Sequence, residues 1–353
     1  MERNEMLELA CELVHAYAEC TCESLHEDFY EEELVAGVVD LLQLQVGEGD
    51  ETSVQLVLEV YRCFGVCRTS HSAPAQENAA LVIEALAESA PQRSDEWYAQ
   101  RHEMITASSA HKALGTTCSK NALVCEKCAP YVPQSSGGGA RAWGVKYEPL
   151  AVLYYEHANN TKIKEYGCKQ HPTYAFLGAS PDGINVSPSP LYGRMLEIKN
   201  PYTRIPTGVP KKEYWVQMQL QMEVFGLNQC DFLETKFHEY SSHAEFAADG
   251  AFERSADGKI KGVMVTCLEN ETHTVHYTPF GCTEAEYEVW RLTLAGEWVV
   301  NTYWKLDHVF CTLVERNTAW FAAALPHFVD VWQTIQTAKI TGWDAYLPKK
   351  KKE

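Results

Sequence analysis

The chain has 353 residues, of which 46% are apolar and 22% charged, the balance of an ordinary globular protein that can bury a core. No stretch approaches the roughly 20 uninterrupted apolar residues needed to cross a bilayer, and the first residues lack the pattern of a signal peptide. We therefore expect an intracellular protein without a membrane span. The 13 cysteines are an odd number in a long chain, which argues against a disulfide scaffold and predicts mostly reduced thiols.

The net charge of −18 by itself argues against a nucleic-acid partner, but the charge is unevenly distributed. Residues 1–90 hold 19 Asp and Glu against three Lys and Arg, whereas residues 91–353 hold 29 acids and 27 bases. An acidic N-terminal segment thus precedes a near-neutral remainder of the chain, and the net charge of the whole chain describes neither part. Apolar residues at helical spacing predict that residues 1–90 are an all-helical appendage. A basic partner and a solvated decoration both remain open as its role.

From residue 91 onward, predicted helices and strands follow each other along the chain. Helices are predicted over 95–102, from Thr106 or Ser108 to 115, and over 143–157, 213–225, 284–301 and 318–337. Strands are predicted over 162–168, 174–178, 193–199, 230–237, 260–267 and 304–314. Residues 116–140, which contain Pro, Ser and Gly clusters, are predicted to be a mobile loop. This order predicts an α/β (α+β) fold, with a central mixed sheet flanked by helices, over one domain of residues 91–345.

Charged side chains interrupt apolar elements in the middle of this domain. Asp182 follows one predicted strand, Glu197 and Lys199 lie within the next strand, and Glu148 lies in the preceding helix. Because side chains alternate along a strand, Glu197 and Lys199 point to the same face. Mg²⁺ prefers one or two carboxylates together with water and phosphate oxygens. The sequence therefore predicts a site for a divalent cation.

The motifs around these residues resemble those of a known nuclease family. Asp182…Glu197-Ile198-Lys199 resembles the Asp…Glu-x-Lys signature of the PD-(D/E)XK nucleases. The flanking motifs resemble, in the same order, those of the phage lambda exonuclease and YqaJ-like viral recombinase family: Trp97-x-x-x-Arg101-x-x-x-Ile105-Thr106-Ala107-Ser108, Trp143-Gly144-x-x-x-Glu148-Pro149 and Tyr214-x-x-Gln217-x-Gln219. The resemblance covers roughly residues 94–237 and implies a restriction-endonuclease-like core.

The resemblance implies that five side chains carry out hydrolysis: Glu148, Asp182, Glu197, Lys199 and Gln217. Asp182, Glu197 and the backbone carbonyl of Ile198 are expected to ligate the metal, and Glu148 to complete the acidic site. Lys199 is expected to orient or deprotonate the attacking water. Gln217 is expected to steady the water or the scissile phosphate, with Tyr214 and Gln219 in supporting positions.

A second group of residues falls where the family binds the 5′-terminal phosphate of a DNA end. These are Arg101, Ser108 and Ser180. Their chemistry agrees with that role, because guanidinium is a bidentate phosphate ligand. Ser108 adds a hydroxyl beside the free N–H groups of a helix N-terminus.

The resemblance thus implies a Mg²⁺-dependent DNA exonuclease that degrades 5′-phosphorylated linear duplex in the 5′→3′ direction, in recombination, repair or viral genome processing. One or two ions are expected, with Mn²⁺ as a substitute. The partners it implies are DNA ends, a single-strand annealing protein and further copies of the chain in a trimer. A non-catalytic DNA-end-binding scaffold, an endonuclease and an RNase remain open as alternatives.

Two further sequence features have no assigned role. Cys125-x-x-Cys128 lacks the second ligand pair that a zinc site needs, and ordinary thiols are the favoured interpretation. The final run Lys349-Lys350-Lys351-Lys352, in the basic tail 346–353, resembles a nuclear-import signal, although binding of DNA by charge and a disordered tail remain open. An import signal beside a viral-recombinase-like nuclease would indicate a large DNA virus, or a gene acquired from one, as the source.

Overall fold

The computed structural model describes residues 79–85, 91–131 and 139–348. The acidic segment up to residue 78, the predicted domain boundary at residue 90 and the basic run after residue 348 lie outside these ranges, so those predictions stay predictions. Within the described ranges, no helix combines the length and apolar character that crossing a membrane requires.

Helices occupy both the start and the end of the described chain. They are α1 (Ala79–Ala85), α2 (Asp95–His102), α3 (Ala107–Ala113), α4 (Thr117–Cys128), α5 (Ala140–Asn159), α6 (Lys212–Phe225), α7 (His243–Ala248), α8 (Glu284–Arg291), α9 (Thr318–Thr341) and a short 3₁₀ turn at Asp344–Tyr346.

The strands lie between and after these helices. They are β1 (Ile105–Thr106), β2 (Ile163–Lys164), β3 (Lys169–Gln170), β4 (Leu177–Ala179), β5 (Gly183–Asn185), β6 (Met195–Lys199), β7 (Gln229–Glu239), β8 (Lys261–Glu269), β9 (Thr272–Tyr277) and β10 (Glu297–Glu315). The sequence does not predict β1, β3, β5, β9 or α7, and it overestimates the lengths of β2 and β4.

A seven-stranded sheet with the order β2-β5-β6-β7-β10-β8-β9 forms the centre of the molecule. β6 and β7 run parallel, while the other neighbouring strands are antiparallel. β10 is long enough to pair with β7 along its second half and with β8 along its first half. The predicted α/β class, with a central mixed sheet flanked by helices, is confirmed.

Helices cover both faces of this sheet and create two apolar layers. On one face α3, α6 and α9 pack in a cluster that contains Met195 of β6 and Phe232 of β7. On the other face Tyr147 of α5 packs with Leu196 of β6 and Phe237 of β7. β6 therefore lies between the two layers, and its side chains alternate between them.

The prediction of a loop over residues 116–140 is wrong for its first half, which is α4. Thr116 begins this helix by accepting a hydrogen bond from the backbone N–H of Ser119. Leu123 and Val124 are completely buried, and this burial stabilises the helix. The Pro and Gly residues that favour a loop all follow Cys128. The composition of residues 116–140 as a whole therefore gives a wrong prediction for their first half.

The predicted helix over 284–301 is also wrong beyond Arg291, where α8 ends. Gly296 has a φ of +84°, a left-handed conformation that only glycine adopts without strain. The residues that follow, Trp298, Val299 and Val300, are aromatic or β-branched and favour a strand. They accordingly extend the predicted strand 304–314 backwards to Glu297.

Candidate active site

Strand β6 presents Glu197 to the face covered by α6, where its side chain is completely buried. Leu196 and Ile198 point to the opposite face and pack in the layer of α5. Helix α6, which covers this face, ends at Gly226, whose φ of +69° is the left-handed conformation that favours glycine at a helix C-terminus.

Three donors from two elements surround the Glu197 carboxylate. Gln217 Nε2 donates to Oε1 at 2.8 Å, and Gln221 Nε2 donates to Oε2 at 2.8 Å. Lys199 Nζ also donates to Oε1. Gln217 and Gln221 are four residues apart and share one face of α6. An unmatched buried charge would cost several kcal/mol, so these donors make the buried carboxylate tolerable and hold its position.

Asp182 reaches the same place from the turn between β4 and β5. Its Oδ2 accepts a hydrogen bond from the backbone N–H of Ile198 at 2.7 Å, which attaches the turn to β6. Burial, followed by the negative charges of Glu197 and Glu148, raises the pKa of Asp182 well above its usual value. Lys199 and the Ile198 N–H act in the opposite direction. The carboxylates are therefore close enough to repel each other.

Lys199 lies among these groups and contacts Tyr214. Its Nζ is 3.5 Å from Gln217 Oε1 and 4.8 Å from the centre of the Tyr214 ring. Burial acts to lower the pKa of Lys199, but the charges of Glu197 and Asp182 outweigh it and raise the pKa overall. Lys199 is thus an ammonium ion in this structure, and Tyr214 supports it through a cation–π contact.

Glu148 approaches the site from α5 and forms an ion pair with Arg93, whose NH2 donates to Glu148 Oε1. Glu165, which the sequence analysis did not single out, lies nearby. Its pKa is raised by burial and by the charge of Glu148, with Arg93 acting in the opposite direction. Glu148 therefore belongs to the acidic group, although an arginine holds it here.

The donor set of this site fits a hard divalent cation. Within the described ranges, no three His, Cys, Asp or Glu side chains are grouped as a metal site. Mg²⁺, however, needs only one or two protein carboxylates with water and phosphate oxygens. Asp182 and Glu197, with the Ile198 carbonyl between Glu197 and Lys199 on β6, are the groups that would hold the ion.

A second group of polar side chains lies beside the acidic group, around Arg101 on α2, and is called the Arg101 pocket below. The guanidinium stacks 4.2 Å from the ring centre of Trp97, and its NH2 donates to Ser108 Oγ at 3.0 Å. Trp97 Nε1 in turn donates to Ser180 Oγ at 3.0 Å. Burial lowers the pKa of Arg101. The structure thus brings together the three residues expected to bind a terminal phosphate.

Lys127 is a further cation at this pocket that the sequence analysis did not identify. It lies near the end of α4, is almost completely buried, and donates from Nζ to the backbone carbonyl of Arg101 at 3.1 Å. Burial lowers the pKa of Lys127, with Glu126 acting in the opposite direction and Arg101 in the same one. The sequence analysis missed Lys127 because it predicted residues 116–140 to be a loop rather than a packed helix.

Gln219, expected in a supporting position, does not contact the carboxylates. Its Nε2 donates to the Glu315 carbonyl at 2.8 Å, and its Oε1 accepts from the Asn317 N–H at 2.7 Å. It joins α6 to the start of α9. The neighbouring Gln221 makes the contact with Glu197 instead, and its four-residue spacing from Gln217 was the signal for it in the sequence.

The raised pKa of Asp182 predicts that this residue destabilises the metal-free protein at neutral pH. Well below the unfolded-state pKa of about 3.9, the carboxyl is protonated in both states and costs nothing. As pH rises through that value, the unfolded chain ionises first, so folding stability falls. In EDTA, Asp182→Asn should therefore unfold at higher urea concentration than the wild type at pH 7, with the difference shrinking as pH falls through about 4 and vanishing well below it. An unchanged or lowered midpoint at pH 7 would contradict the assigned crowding.

Comparison with known proteins places the acidic group and the Arg101 pocket within one family domain. Residues 96–228 match the family model of the YqaJ-like viral recombinase domain. An uncharacterized protein of Acanthamoeba polyphaga mimivirus is 27% identical over 288 residues, which cover 69% of this chain and 52% of that protein. The chain thus spans about half the length of the curated relative it matches.

Two solved structures resemble the chain at lower identity. An alkaline exonuclease from Laribacter hongkongensis is 22% identical, with a TM-score of 0.42, over 70% of this chain and 94% of that chain. A phage-related exonuclease from Haemophilus somnus is 12% identical, with a TM-score of 0.40, over 66% of this chain and 94% of that chain. The family match spans Arg101 to Gln217 and confirms the resemblance predicted from the motifs: residues 96–228 match the YqaJ-like viral recombinase domain.

Proposed function

We propose that the protein is a metal-dependent DNA nuclease that degrades linear duplex from its 5′ ends. The observation that carries this proposal is the buried Glu197 carboxylate, held by Lys199, Gln217 and Gln221 beside Asp182. A surface ion pair needs no such set of buried donors. The match of residues 96–228 to a viral recombinase domain supports a role in DNA processing.

The residues of the site divide the chemistry between them. A divalent ion, when bound, supplies charge for the phosphate oxygens and makes a water more acidic. Asp182 and Glu197 are placed to hold the ion. Lys199 is placed to orient the attacking water and to stabilise negative charge that develops on the phosphate. Gln217 contacts both Glu197 and Lys199 and so holds the carboxylate and the ammonium group in fixed positions relative to each other.

The exonuclease part of the proposal depends on the Arg101 pocket. A terminal phosphate carries more charge than an internal one, and a partly buried guanidinium with neighbouring hydroxyls selects for it. Ser180 of this pocket and Asp182 are two residues apart on one turn. A 5′ phosphate held at Arg101 would therefore lie beside the carboxylates, as removal of nucleotides from an end requires.

The wider biological role is also part of the proposal. The mimivirus relative supports a large DNA virus as the setting, and the match to a viral recombinase domain supports recombination or genome processing. A single strand left by 5′→3′ resection would be the substrate of an annealing protein, and a trimer would keep the enzyme on the duplex. Nuclear import through residues 349–352 fits the same setting.

Lys199→Ala and Glu197→Gln should each lower the rate of nucleotide release from linear duplex by ~10²–10³ or more, because the first removes a charge aimed at the reacting phosphate and the second removes a ligand of the ion. Binding to DNA in EDTA should survive. Lys162→Ala is the matched control, since Lys162 is an exposed lysine paired with Glu156. Near-normal turnover by either site variant, with Mg²⁺ or Mn²⁺, would refute the catalytic assignment, and inactivity of the wild type would favour a non-catalytic scaffold.

The Arg101 pocket predicts that 5′-phosphorylated duplex is degraded faster than 5′-hydroxyl duplex, and that Arg101→Ala removes this preference. Duplexes labelled at the 5′ or the 3′ end report the polarity directly in the same assay. Equal rates on both kinds of end in the wild type, or cutting of closed circles, would indicate an endonuclease. Degradation of RNA in preference to DNA would indicate an RNase.

A further inference from the structure

Arg93 stands out because its backbone adopts a conformation that arginine seldom takes. Its φ is +67°, in the left-handed region, which residues with a Cβ occupy mainly where surrounding contacts impose it. The contacts come from the preceding residue. Gln92 Nε2 donates to the carbonyl of Tyr166 and to the carbonyl of Pro181, both at 2.9 Å.

These two hydrogen bonds attach the segment before α2 to the turn that carries Asp182, since Pro181 immediately precedes Asp182. The left-handed residue then directs the Arg93 side chain over the acidic group, where it pairs with Glu148. Burial acts to lower the pKa of Arg93, but the charges of Glu148, Glu165 and Asp182 outweigh it. The guanidinium is thus placed at the mouth of the candidate active site.

The Arg93 guanidinium has hydrogen-bonding capacity left over. It has five N–H donors, and in the described part of the chain Glu148 is the side chain that accepts from it. Its side chain is 42% exposed, against 24% for Glu148. Donors that face solvent above a group of carboxylates are in position for an incoming anion.

The charges around the site make such a cation useful to an anionic substrate. Taken as ionised, the site has four acids and two bases, namely Glu148, Glu165, Asp182 and Glu197 with Arg93 and Lys199. The resulting negative field repels phosphate. Lys199 is committed to Glu197, so Arg93 is the base that remains open to the solvent side.

We propose that Arg93 binds a backbone phosphate of the nucleic acid beside the catalytic carboxylates, and that Glu148 is its resting partner, which the phosphate displaces. This inference rests on the proposed function for the identity of the substrate. It assigns to Arg93 a contact separate from the Arg101 pocket, which is built on α2 and α3. Glu148 accordingly has a second role: it pairs with the Arg93 guanidinium while no substrate is bound, and it competes with the phosphate for that guanidinium.

The test is equilibrium binding of labelled 5′-phosphorylated duplex in EDTA, where no hydrolysis occurs, at a series of salt concentrations. Loss of one phosphate contact lowers the slope of log K against log salt by about 0.9. Arg93→Ala should weaken binding and lower the slope by that amount. Arg291→Ala is the matched control, because Arg291 is a similarly exposed arginine paired with Glu288, and its slope should equal that of the wild type.

Glu148→Gln supplies the second arm. Removal of the competitor should tighten binding clearly more in the wild-type background than in the Arg93→Ala background, where only the loss of negative charge acts. An equal gain in both backgrounds would mean that the lost negative charge acts alone, and would overturn the proposal, as would an unchanged slope in Arg93→Ala. A thermal melt of each variant checks that it is folded. The proposed nuclease function fails separately, if the wild type releases no nucleotides with metal.

Discussion

A fully buried carboxylate on a central strand is the constraint on which the rest of the site depends. Glu197 is tolerable inside the protein only because Gln217, Gln221 and Lys199 donate to it. Two of these donors lie on α6, so the helix must pack over β6 in the one position that brings both glutamines to the Glu197 carboxylate. The same strand holds Asp182 through the Ile198 N–H. One hydrogen-bonded group therefore fixes helix, strand and turn relative to each other.

The turn between β4 and β5 connects this acidic group with the Arg101 pocket. Ser180 accepts from Trp97, on which Arg101 stacks, while Pro181 accepts from Gln92. The next residue, Asp182, belongs to the acidic group. The groups proposed to bind the terminal phosphate and the ion thus include residues that lie two positions apart, Ser180 and Asp182. Such an arrangement suits a substrate that brings a terminal phosphate and a scissile phosphate at a fixed spacing.

Sequence reasoning worked best where periodicity and local chemistry agree. The alternation along β6 correctly predicted that Glu197 and Lys199 share a face, and the helix predicted over 95–102 matches α2. It failed for α4, where Pro and Gly further along dominated the composition, and with α4 it missed Lys127. Arg93 and Glu165 could not be predicted either, because only tertiary folding brings them to Glu148, Arg93 from 55 residues away in the sequence.

The central claim is that Asp182 and Glu197 together hold a divalent cation. A crystal of the protein grown with Mn²⁺ tests this most directly, because anomalous scattering locates the ion independently of the protein coordinates. The account predicts a peak between the carboxylates of Asp182 and Glu197, close to the Ile198 carbonyl, that is lost in Asp182→Asn. A peak elsewhere, or none at a Mn²⁺ concentration that supports DNA cleavage, would contradict it.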